Sequence, residues 1–141
     1  MKLILVFALT LCVTGSFYAQ DCERIVRNCE ELLKMKTDGK EFISDGQVYT
    51  AFLDREKAEF KTTFFGGTTY RVAASAGDKD NFVIFTIKDP DGNILFSNKN
   101  YKNAPYWDLK VVESIPVTIE TELDLDLKVT GCAVMLIGFK N

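Results

Sequence analysis

Two periods of hydrophobic repetition divide the chain. Over residues 21–36 the apolar positions are Cys22, Ile25, Val26, Cys29, Leu32 and Leu33. Their spacing of three and four marks one face of an amphipathic helix. Arg24, Arg27, Glu30, Glu31 and Lys34 take the other face. Asp21 is suited to cap the first turn, with Glu23 near the positive end of the helix and Lys34 and Lys36 near the negative end. Asp38-Gly39 supplies the stop.

Beyond Gly39 the period drops to two. Strands are predicted over residues 47–53, 58–65, 69–75, 81–87, 93–97, 106–112, 116–122, 123–129 and 132–139. Turn chemistry separates them: Gly66-Gly67, Gly77-Asp78, Asp89-Pro90-Asp91-Gly92, Asn103-Ala104-Pro105, and Ser114 to Pro116. Eight or nine short strands at roughly ten-residue spacing describe an all-β, antiparallel sandwich or barrel. In Asp89-Pro90-Asp91-Gly92, Pro90 sets φ for a type I turn and Gly92 supplies a positive φ at its end, so this stretch closes a hairpin.

The strands differ in their faces. Residues 123–129 alternate strictly, Leu-Asp-Leu-Asp-Leu-Lys-Val, which reads as one buried and one wet face. Residues 82–87 and 132–137 are apolar on both faces, so each needs a cover beyond the sandwich core. The helix is the one element available for that. It is expected on the outer face of a single sheet holding both strands, with Cys29 beside Cys132.

The N-terminus adds a compartment. Lys2, an apolar run over residues 3–13 and the small residues that follow have the form of a secretory leader, cleaved after Ala19 or, alternatively, after Ser16. The run is short of the roughly 20 residues that span a bilayer, and no later stretch reaches that length. Neither Cys12 nor Cys22 follows a small residue, so no lipid attachment site is expected. The reading is a secreted or periplasmic product: residues 1–19 as leader and 20–141 as one domain, with a helix over 21–36 and a sandwich over 45–141. Three cysteines then remain, in a setting where disulfides persist. Cys22 and Cys29 are seven residues apart, a helical rise of roughly 10.5 Å that exceeds the reach of a disulfide. One of them is therefore expected to bridge to Cys132, and Cys29 is favoured because Cys22 falls in a first turn prone to fraying.

Charge and composition narrow the chemistry. The chain holds 17 basic and 20 acidic residues, and the leader removes only Lys2, leaving a net charge near −4. That is the wrong sign for a nucleic-acid partner. There is no histidine, which excludes Ser-His-Asp and Cys-His catalysis and His-ligated metal centres. Glu113, Glu120, Glu122, Asp124 and Asp126 could serve a paired-carboxylate hydrolase, although most alternate with apolar residues as a solvated face does. No cofactor is called for by any motif. Calcium is the one ion the loop oxygens of Asp78, Asp80, Asp89, Asp91 and Asn93 suit, without an EF-hand spacing. Around the loop 98–105, alternation puts Trp107 with Leu109 and Val111 in the core, leaving Tyr101 and Tyr106 as surface anchors for a ligand.

Gly66-Gly67-Thr-Thr-Tyr-Arg-Val, Asp80-Asn-Phe-Val-Ile-Phe-Thr-Ile-Lys-Asp89, Asp91-Gly-Asn-Ile-Leu-Phe96 and the closing residues 131–140 resemble the pre-peptidase C-terminal-like (PPC-like) sandwich of bacterial secreted proteins. The resemblance covers residues 45–140. It implies a jelly-roll-like sandwich and an accessory module that binds protein, matrix or polysaccharide, in some members with calcium. The expected function is that of a secreted, non-catalytic binding module for an extracytoplasmic protein or glycan. The alternatives are a histidine-free hydrolase and an envelope-associated structural subunit assembling through a strand edge.

Overall fold

The computed structural model describes residues 16–78 and 81–140, with side chains from Cys22 onward. Residues 1–15, most of the expected leader, lie outside the described residues. The elements run α1 (Ser16–Lys34), β1 (Ile43–Ser44), β2 (Tyr49–Asp54), β3 (Ala58–Phe64), β4 (Thr68–Ser75), β5 (Val83–Lys88), β6 (Ile94–Ser97), β7 (Tyr106–Val111), β8 (Ile115–Leu123) and β9 (Thr130–Lys140). A 3₁₀ turn, Asn98–Tyr101, joins β6 to β7.

All pairings are antiparallel. Sheet one is ordered β9-β4-β7, with β1 and β2 successively lining the other edge of β9. Sheet two is β3-β8-β5-β6. Counting from β2, the two sheets hold strands 1-8-3-6 and 2-7-4-5, the order of a jelly roll. The fold class expected from the pattern is the one observed.

Two cores follow from alternation along β9. Ala133, Met135 and Ile137 point between the sheets, among Val72, Phe85, Ile87, Val117 and Ile119. Cys132, Val134 and Leu136 point the other way, onto Ile25, Cys29 and Leu33 of α1 and onto Phe42. Gly138 sets how near the helix can come: a Cβ there would lie 2.7 Å from Leu33 Cδ1 and 3.2 Å from the Ile43 carbonyl.

Arg71 locks this arrangement. It sits on β4 beneath the helix, 0% exposed. Nε and Nη2 donate to the Asp108 carboxylate of β7 at 2.7 and 2.9 Å. Nη1 donates to the carbonyls of Leu32 (3.0 Å) and Met35 (2.5 Å) at the C-terminus of α1, and Nη2 also donates to Thr37 Oγ1 (2.6 Å). The rings of Phe42 and Tyr106 stack against the guanidinium, 4.2 and 4.4 Å from Cζ.

Several expectations are corrected. β5 and β9 lie in different sheets, so α1 covers β9 and β4 but not β5. The outward Ile84 of β5 is buried opposite Glu122, where long charged stems are the cover available. Residues 124–129 form a turn instead of a strand, because Asp124 Oδ1 accepts from Asp126 N (3.1 Å) and its carbonyl accepts from Leu127 N and Lys128 N. The helix extends upstream to Ser16, so Asp21 lies within it instead of capping it. It ends at Lys34, ahead of a tight turn in which Asp38 and Gly39 both take positive φ. The disulfide joins Cys22, not Cys29, to Cys132 (Cα–Cα 5.7 Å). Cys29, two turns further along, stands opposite Val134, whose carbonyl accepts from its thiol at 3.3 Å.

Removing Arg71 would leave the Asp108 carboxylate without its cation, only the Thr37 hydroxyl still donating to it (3.4 Å), and would strip a donor from two helix carbonyls. Arg71→Met is expected to destabilise by about 3–5 kcal/mol, as breaking a buried ion pair does. Urea unfolding checks this, and a loss under about 1 kcal/mol, the range of a surface pair, would contradict the clamp. Non-reducing peptide mapping is expected to recover Cys22 linked to Cys132, with the link surviving Cys29→Ala and lost in Cys22→Ala.

Candidate functional site

The loop singled out by its aromatics is a built structure. Asn98, 0% exposed, fixes it: its Nδ2 donates to the carbonyls of Val83 (2.9 Å) and Ala104 (3.0 Å), and its Oδ1 accepts from Phe85 N (2.8 Å). Asn103, in left-handed backbone at φ 53°, donates through Nδ2 to Asn81 O (3.2 Å) and Asp124 Oδ2 (2.6 Å). Trp107, Leu109 and Val111 pack on the core as their alternation predicts. Tyr101, half exposed, lies against Trp107 (centroids 4.2 Å) and Phe96 (5.6 Å). Tyr106 faces the other side of sheet one, against Arg71. The two tyrosines therefore do not converge on one ligand, and the Tyr106 ring is committed to the clamp.

Beyond this loop the two sheets part. β6 is an edge of sheet two and β7 an edge of sheet one. Between them opens a cleft of about 240 Å³ walled by Ile87, Leu95, Phe96, Leu109, Val111 and Ile115, with Lys110 and Glu113 also lining it. Leu95 and Val112, which line it, are 51% and 79% exposed. Ala74 N donates to Pro105 O (2.8 Å) in the β4–β7 register. Antiparallel alternation then directs the backbone of Trp107, Leu109 and Val111 toward β4 and that of Tyr106, Asp108 and Lys110 toward the free edge. Apolar walls and outward backbone donors and acceptors thus share one seam. The pattern of residues 106–112 holds both ingredients, but that this edge stays open is a product of the chain's long-range pairing.

The carboxylates are placed for structure. Glu120 and Glu122 point outward from sheet two, and Lys57 reaches both at 3.4 and 3.2 Å. Lys88 also pairs with Glu120. The hydrogen bond from Lys88, seconded by Lys57, holds the Glu120 carboxyl below the ordinary carboxylate range. A glycosidase acid requires a raised value. Asp124 is spent on the turn and on Asn103.

The calcium candidates do not gather. Asp78 pairs with Arg24 at 2.9 Å. Asp89 accepts from Asn93 N (2.8 Å) and Asn93 Nδ2 (2.9 Å), bonds that lower its pKa and build the hairpin turn together with Asp91 and Gly92. Asp78 and Asp89 flank opposite ends of β5, roughly 17 Å of strand apart. Asp80 lies outside the described residues. Among the described residues no three acidic or thiol side chains cluster, and no helix is long and apolar enough to cross a membrane. No family model matches the chain, and no curated protein matches it in sequence.

Because the folded-state pKa of Glu120 is depressed, its stabilising contribution is complete above the ordinary glutamate value and fades as pH falls through the folded one. Glu120→Gln is expected to cost up to about 1 kcal/mol at neutral pH, with the difference vanishing in acid. Melting curves from pH 7 to pH 2 check this, and a gap that widens in acid would contradict it.

Proposed function

We propose that this chain is an exported, non-catalytic binding module, a relative of the PPC-like sandwiches, which engages a protein partner outside the cytoplasm through the β6–β7 seam. The open apolar cleft carries this reading. Its volume of about 240 Å³ falls short of the roughly 300–1,000 Å³ typical of pockets that enclose a small ligand. It suits one or two apolar side chains of a larger partner. The outward backbone of Tyr106, Asp108 and Lys110 supports an extended partner segment adding to the edge of β7. A glycan is the weaker fit, since the walls are apolar and Tyr101 and Tyr106 face apart. The absence of histidine and the ion-paired state of Glu120 favour binding over hydrolysis. The leader-like N-terminus and the long-range disulfide favour an oxidising compartment.

Parallel selection on a peptide-display library and a glycan array tests the reading. The expected hits are peptides with apolar anchors. Leu95→Asp is expected to weaken them by about tenfold or more, as displacing a central anchor does. Glycan hits, or peptides indifferent to that substitution, would refute it.

A further inference from the structure

Two sets of exposed apolar side chains stand at opposite ends of β8. Leu95 and Val112, both exposed, line the cleft mouth. Leu125, Leu127 and Val129, 52%, 53% and 41% exposed, stand on the turn between β8 and β9. β8 runs nine residues from Ile115 in the cleft wall to Leu123 at the foot of that turn. The two groups are therefore about 30 Å apart, at opposite ends of one strand.

Their polar surroundings are complementary. Asp126 lies between the two leucines, and Lys110 lies at the cleft. Among the described residues neither takes part in an ion pair. Exposed apolar side chains gathered beside an apolar cleft are the kind that mark contact surfaces, and here such a cleft and a projecting apolar turn occur on a single chain.

We propose that the Leu125–Leu127 turn of one molecule docks in the β6–β7 cleft of a second copy, with Asp126 facing Lys110. This rests on the cleft being a contact site and names its occupant. A turn at one end and a cleft at the other make a heterologous contact, which propagates head to tail into a ring or filament instead of closing as a two-fold dimer. Glu113, the acidic residue beside Lys110, opposes Asp126, so Glu113→Gln strengthens the contact.

Sedimentation of the protein from micromolar to millimolar concentration tests this, with thermal melts confirming that each variant folds. The mass is expected to grow with concentration in the native protein. Leu95→Asp, and separately the Leu125→Asp/Leu127→Asp pair, remain monomeric. Mixed together they form a one-to-one complex, because each keeps the half the other lacks. Lys110→Glu weakens assembly and adding Asp126→Lys restores it. A native protein that is monomeric throughout, or an assembly unmoved by both cleft and turn variants, overturns the proposal. In that case, peptide binding that still depends on Leu95 would leave the cleft a site for a foreign protein, whereas its absence would remove the binding reading as well.

Discussion

The architecture depends on one buried cation. A guanidinium taken out of water costs several kcal/mol unless its donors are met, and Arg71 has five of them. Asp108 takes two, the helix carbonyls of Leu32 and Met35 take two, and Thr37 takes one. The planar faces are occupied by Phe42 and Tyr106. One side chain therefore specifies where α1 must end, how far β7 must lie from it and which face of β7 turns outward. Lysine could not replace it, since a single ammonium cannot span a carboxylate and a helix terminus together.

That specification has an asymmetric result. Sheet one is covered on its outer face by α1, tied at its N-terminal half by Cys22–Cys132 and at its C-terminal end by Arg71. Among the described residues sheet two has no such layer, and it carries a ladder of charged residues, Lys57, Lys88, Glu120 and Glu122. Between the sheets, the β6–β7 edge is closed at the loop end by Asn98 and by Tyr101 on Trp107, and it opens toward Val112. The proposed contact site is thus a part of the sandwich that neither helix, network nor aromatic lid reaches.

Much of this was legible from residue order, and the failures have identifiable physical causes. Period-two alternation located most of the strands and assigned Trp107, Leu109 and Val111 to the core. The apolar face of α1 and its packing on β9 were legible from the spacing from Cys22 to Leu33. Residues 123–129 misled because strict alternation also fits a turn when an aspartate at its start can bond the backbone two residues on. The disulfide partner was misjudged because the register between α1 and β9 sets Cys22 against Cys132 and Cys29 against Val134, and that register is not written in the spacing of the helix alone. Arg71 was overlooked, yet the signal was present: it is the single charge in the otherwise uncharged run from Tyr70 to Gly77. The cleft was not legible, because strand edges are left open by pairings between residues far apart in sequence.

The position of β9 has a consequence for how the molecule is made. It is the last strand among the described residues, and it lies between β2 and β4 and beneath α1. Neither core can be completed, and the crosslink spanning 110 residues cannot form, until β9 has been synthesised. A topology so dominated by distant pairings folds slowly. Until then β4 lacks one of its two neighbours, and Cys22 the other half of its crosslink.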